Sequence, residues 1–140
     1  DKLTLAALEA TLRIYRDGDP GNEIPVLRAL GRSREELRQA ADHLVGLLSK
    51  GDSAVLQQAT VIESDSFAGS GANPAHPVPS YAVALPGSDR VCEALRNGPG
   101  IPVFARIAAD RVLLDLRSLD SEDPDDVASE VIRKLSGLID

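Results

Sequence analysis

Leu5, Leu8, Leu12 and Tyr15 recur at helical spacing near the start of the chain, with Glu9, Arg13 and Arg16 set on the other side. The pattern predicts an amphipathic helix over residues 1–17 with one buried stripe. "RDGDPGN" should stop it, because Gly18, Pro20 and Gly21 oppose continuation, and a short helical turn "IPVLRAL" follows as far as Gly31. "SREELRQAADHLVGLLSKG" is the clearest helix. Ser33 and Glu36 form a capping box, Leu37, Ala41, Leu44 and Leu48 share a face, and Gly51 is the expected stop.

From Ser53 the period shortens to two, and "AVLQQATVIES" reads as a strand. "FAGSGANPAHPVP" is a loop, and "SYAVAL" a short strand with Tyr81, Val83 and Leu85 on one face. Ser88 caps a helix through "DRVCEALRN" that Gly98 ends. "IPVFARIAADRVLLDLRSL" predicts a β-hairpin turning at Ala109-Asp110. With that turn, Val103, Ala105 and Ile107 share an apolar face with Val112, Leu114 and Leu116, and Phe104, Arg106, Leu113 and Asp115 share the other. "DPDDVASEVIRKLSGL" is a terminal helix with Asp123 as N-cap, Pro124 in its first turn, and Val127, Val131, Leu135 and Leu138 as its stripe. The order α, α, β, β, α, β-hairpin, α implies an α+β two-layer sandwich, a mostly antiparallel sheet with helices on one face.

Composition narrows the function classes. The 140 residues suit a single domain. Aromatics make up 3% of the chain, so the core must be built from Leu, Val, Ile and Ala. A net charge of −7 argues against a broad nucleic-acid footprint on this piece. One cysteine excludes an internal disulfide and fits a reducing compartment. With no signal peptide and no apolar run near 18 residues, the expectation is a cytoplasmic protein that does not enter a membrane. The absence of methionine, in a chain that opens inside a helical stripe, leads us to expect a piece of a longer protein.

The catalytic inventory is thin. His43 reads as a helical surface residue, His76 as a loop residue and Cys92 as a small buried side chain; none has a partner at metal-ligand spacing. "GSGANP" lacks the lysine and the strand-to-helix setting of a phosphate loop. "LDSEDPDD" is better explained as the acidic start of a helix than as a metal loop. Arg28, Arg32, Arg34 and Arg38 are interleaved with Glu35 and Glu36 and read as a solvated face. Arg106 stands out. From the outward hairpin face its guanidinium could grip a carboxylate or phosphate bidentately. Alternatively it pairs with Asp115 or another sheet neighbour.

Three stretches carry a resemblance. They are "DKLTLAALEATLRIY", "GSGANPAHPVPSYAVAL" and "RIAADRVLLDLRSL". Together they resemble the bacterial selenocysteine synthases, the L-seryl-tRNA(Sec) selenium transferases. In that family the second stretch reads Gly-Gly-Gly-Ser/Ala-x-Pro, then Leu-Pro-Ser-Trp-Ala-Val-Ala-Leu; the third reads Arg-Ile-x-x-Asp-Arg-Leu-Leu-Leu-Asp-Leu-Arg-Thr. The chain departs at Ser70, where the middle glycine is usual, at Val78 in place of Leu, and at Tyr81 in place of Trp.

The resemblance implies a pyridoxal-phosphate enzyme of fold type I that converts seryl-tRNA(Sec) to selenocysteinyl-tRNA(Sec) with selenophosphate. It places this chain as the small C-terminal domain (residues 1–140), joined through the helix of residues 1–17 to an upstream cofactor-binding domain. The cofactor lysine and the selenophosphate arginines are then expected before residue 1; Lys2 is not that lysine, and no cofactor is expected on this piece alone. No catalytic, cofactor-binding or metal residue is carried over. Selenocysteine tRNA and selenophosphate would be partners of the whole enzyme, a homo-oligomer. An arginine from the small-domain sheet often faces substrate in fold type I enzymes, which favours Arg106 as a substrate contact. Two other readings stand beside this one: a related pyridoxal-phosphate lyase acting on a small amino acid or amino sugar acid, and a non-catalytic interaction or oligomerisation module.

Overall fold

In a computed structural model, residues 1–67, 77–119 and 124–136 are described. The glycine-proline loop with Ser70 and His76, the acidic run around Asp123, and Leu138 lie outside them. The chain divides into two compact units, Asp1–Arg32 and Ser33–Asp140.

The first unit is helical: α1 Lys2–Asp17, α2 Pro20–Glu23 and α3 Pro25–Gly31. Asp1 caps α1 through Thr4 N–H. The expected break falls at Gly18, but "PGNE" then forms a one-turn helix, because a proline in the first helical turn costs no hydrogen bond. The expected burial of the α1 stripe does not occur. Leu5, Leu8, Leu12 and Tyr15 are between 53% and 66% exposed, and no residue of this unit is buried. Its two other helices are one and two turns long, too short to cover a sixteen-residue helix within the unit.

The second unit holds α4 Arg34–Leu48, α5 Ala54–Gln57, β1 Thr60–Ser66, β2 Val78–Pro86, α6 Asp89–Asn97, β3 Arg106–Ala108, β4 Arg111–Asp115 and α7 Pro124–Leu135. The four strands form one antiparallel sheet in the order β1-β2-β4-β3. The expected α+β two-layer architecture is observed. Leu37, Ala41, Leu44 and Leu48 of α4, Val91 and Leu95 of α6, and Val131 and Leu135 of α7 pack with Val83, Leu85, Val112 and Leu114 of the sheet in one apolar core.

Several boundaries differ from the pattern-based reading. Both arms of the Ser33–Glu36 capping box form, but α4 ends at Leu48 with Ser49 as C-cap, ahead of Gly51. The expected strand over 54–64 splits: "AVLQ" winds into a helical turn that buries Leu56 in the core, and the strand begins at Thr60. β2 is longer than "SYAVAL" because it is paired on both sides. Ser88 stands at the N-cap of α6, though its side chain makes no capping bond. The hairpin turns at Ala109-Asp110 as expected, both with positive φ (50° and 56°). Its first strand is only three residues long, because Val103 N–H donates to the Leu95 carbonyl of α6 at 3.0 Å, drawing the chain off the sheet edge.

Candidate functional site

Antiparallel register sorts the strands into two faces. The face packed against the helices carries Tyr81, Val83, Leu85, Val112 and Leu114. The other brings Thr60, Ile62, Ser64 and Ser66 of β1 level with Ser80, Ala82 and Ala84 of β2, Leu113 and Asp115 of β4, and Arg106 of β3. On this second face Ala82, Ala84 and Leu113 are buried, with Ile62 and Ala108 against them.

Arginine side chains lie across that ledge. Arg106 leaves the β3 edge and reaches the opposite edge strand, where its Nη2 donates to Ser64 Oγ at 2.6 Å and to the Asp65 carbonyl at 3.2 Å. Arg111 runs the same way, its Nη2 donating to Thr60 Oγ1 at 2.7 Å and to the Ala84 carbonyl at 2.9 Å. Alanine at 82 and 84 leaves room for the aliphatic stems, which supply the apolar cover an uncharged side chain would otherwise give.

At one end of the ledge sits Asp115, 6% exposed. Its Oδ1 accepts from Ser80 Oγ at 2.7 Å and from Arg117 N–H at 3.1 Å, and its Oδ2 accepts from Ser66 Oγ at 2.8 Å. Arg106 Nη2 stands 3.6 Å from Oδ2, an ion pair longer than a hydrogen bond. Arg117 donates through Nη2 to the Pro79 carbonyl at 2.7 Å. Arg106 thus has its guanidinium beside the Asp115 carboxylate, and Arg111 and Arg117 hold theirs on backbone carbonyls of β2. Both readings of Arg106 meet here: it touches Asp115 and Ser64, yet its side chain is 45% exposed, and among the described residues Nε and Nη1 have no hydrogen-bond partner. Both two-donor edges of a guanidinium include Nη2, which the sheet engages, so Nε and Nη1 are left as single donors for a carboxylate or phosphoryl oxygen.

The other candidates are accounted for structurally. His43 Nε2 lies 3.0 Å from Asp125 Oδ1 at the surface between α4 and α7. Among the described residues no group of His, Cys, Asp and Glu could hold a metal ion. Burial pushes the half-buried Cys92 thiol up, Asp89 adds to this and Arg96 opposes it. Arg34 pairs with Glu63 at 2.9 Å and lies over the Tyr81 ring, Arg38 faces Asp42, and Arg28 donates to the Asn22 carbonyl. Tyr81, in place of tryptophan, is buried with its hydroxyl donating to Glu63 at 3.4 Å. Sequence reasoning missed the serines. Ser64, Ser66 and Ser80 alternate on their strands, a polar face visible only once the register is known. No helix among the described residues is long and apolar enough to cross a membrane.

The family model described as SelA, L-seryl-tRNA selenium transferase, matches residues 1–120. The chain belongs to this family. It is 38% identical over 99% of its length to the L-seryl-tRNA(Sec) selenium transferase of Moorella thermoacetica, and covers 30% of that protein. Identity is 39% to the transferase of Geobacter sulfurreducens over 97% of this chain, and 39% to that of Geotalea daltonii over 88%, covering 30% and 27% of those proteins. The chain therefore spans about 30% of the length of these selenium transferases.

Pyridoxal phosphate, implied by the resemblance, does not fit the residues described. A lysine is needed to carry it. Lys134 is buried with Nζ donating to the Gly98 carbonyl at 2.8 Å, and Lys2 and Lys50 are exposed. These are the only lysines in the sequence. No step through the cofactor is assigned to this chain.

Proposed function

We propose that this chain is the C-terminal small domain of a pyridoxal-phosphate-dependent L-seryl-tRNA(Sec) selenium transferase. The parent enzyme works in the cytoplasm as a homo-oligomer and makes selenocysteinyl-tRNA(Sec) from seryl-tRNA(Sec) and selenophosphate. The match over residues 1–120, with full-chain similarity to proteins named for that activity, supports this reading. The cofactor and its lysine belong to the remainder of the parent, reached through α1. Alone, the chain is inactive.

Within the parent, this domain binds and orients. Arg106 contacts an anionic group of the substrate through a free N–H at Nε or Nη1, Nη2 being held by the sheet. Its guanidinium stays charged at any working pH, so it positions charge and does not transfer protons. In the full-length enzyme, Arg106→Ala should lower turnover of seryl-tRNA(Sec) at least about ten-fold, with the 140-residue chain still folded by circular dichroism. Unchanged turnover removes Arg106 from the substrate site.

A further inference from the structure

Arg106 crosses the sheet to reach uncharged acceptors. Its Cα is on edge strand β3, level with Leu113 of β4. Its Nη2 donates on the opposite edge strand, to Ser64 Oγ at 2.6 Å and to the Asp65 carbonyl at 3.2 Å. That nitrogen carries two hydrogens, one on each two-donor edge of the guanidinium, and the sheet supplies two acceptors. Arg106 as it stands therefore meets an anion with one donor at a time. Asp115 lies 3.6 Å from the same nitrogen and takes three other donors, from Ser80, Ser66 and the Arg117 N–H.

We infer that Ser64 and the Asp65 carbonyl are internal competitors that set the specificity of Arg106: a carboxylate or phosphoryl group is gripped on two oxygens only when Nη2 lets go of the sheet. This rests on the reading of Arg106 as a substrate contact. The anion first meets Nε or Nη1, and Nη2 then exchanges its neutral acceptors for the second oxygen. Bonds from a guanidinium to an anion are roughly twice as strong as those between neutral groups, and a parallel pair adds geometric selectivity, so the exchange favours a two-oxygen ligand. A ligand with one accepting centre gains nothing from it. The groups left behind are not stranded. Ser64 is half-buried and within reach of water, and Asp115 keeps its three other donors.

The test titrates the 140-residue chain with inorganic phosphate and acetate, which present two oxygens, and with chloride, which has one centre. The reporter is the Arg106 Nε–Hε resonance in ¹H–¹⁵N spectra, assigned by its absence in Arg106→Lys. In wild type phosphate, acetate or both should shift this resonance saturably, and the tighter of the two identifies a phosphoryl or a carboxylate ligand. Ser64→Ala removes one competitor and should tighten that binding by about two- to ten-fold, the worth of one hydrogen bond, with little change for chloride. Ser64→Thr, which keeps the hydroxyl, should return the wild-type affinity. A merely structural serine would alter stability without this selective gain and its reversal. Equal or weaker phosphate and acetate binding in Ser64→Ala, or an equal gain for chloride, overturns the release of Nη2 and leaves Arg106 as a single-donor anion contact. If no anion moves the Arg106 signal in wild type or in Ser64→Ala, the substrate-contact reading falls, and the release with it.

Discussion

At the scale of single residues, two sites show how local conformation and burial set behaviour. Ala109 and Asp110 both take positive φ in the hairpin turn, a conformation that costs an L-residue with a Cβ about 1 kcal/mol. Asn-Gly is the pair such mirror turns prefer. Ala109→Asn with Asp110→Gly should therefore stabilise the chain by about 1 kcal/mol, seen as a higher urea midpoint with unchanged slope. An unaltered midpoint would mean that the turn is not under strain. Cys92 makes a different prediction, because burial raises its thiol pKa in the folded chain. The neutral thiol is favoured on folding, so this contribution is whole below the ordinary thiol pKa and is lost as pH rises through the raised folded value. Iodoacetamide should alkylate Cys92 at neutral pH more slowly in the native chain than in urea. Cys92→Ala should flatten the alkaline part of the stability profile. Equal native and denatured labelling rates would refute the burial account.

At the scale of elements, legibility in the sequence tracks the distance over which an interaction acts. The α4 start could be read because Ser33 and Glu36 are three residues apart and satisfy each other's backbone donors. Replacing Ser33 by Ala should cost about 1 kcal/mol, measurable by thermal or urea unfolding. The hairpin face bearing Arg106 could be read too, since a two-residue turn fixes the register between β3 and β4. The four-residue helix α5 was hidden, because four residues cannot distinguish a period of two from one of 3.6, and the burial of Leu56 decided the outcome. The serine cluster was hidden for the opposite reason. Ser66 and Ser80 meet Asp115 across 49 and 35 residues, and no local pattern reports such pairings. The ledge beneath the arginines makes its own prediction. Ala82 is fully buried on the face that Arg106 crosses, so Ala82→Leu must push the arginine aside or strain β2. A loss of about 1–3 kcal/mol is expected, read from urea unfolding. A variant with wild-type stability would show that the ledge has spare room.

At the scale of the whole molecule, stability and exposed apolar surface belong to different units. Among the described residues, every buried apolar side chain lies between Leu37 and Leu135, inside the second unit. The first unit has amphipathic α1, whose stripe was read correctly as to position and wrongly as to burial. Periodicity says which side chains share a face, but not whether anything covers that face. The division has a consequence for the chain alone. A single sixteen-residue helix with no buried residue is marginal in water, since nucleation is costly and propensity alone barely offsets it. The polypeptide Ser33–Asp140 should therefore fold without residues 1–32. Its ¹H–¹⁵N spectrum should overlay that of the whole chain for the shared residues, and its unfolding midpoint should lie within a few degrees. Truncation should also lower the tendency of the chain to associate, because it removes four large exposed apolar side chains at helical spacing. Collapse of the dispersed spectrum on truncation would show instead that residues 1–32 supply part of the core.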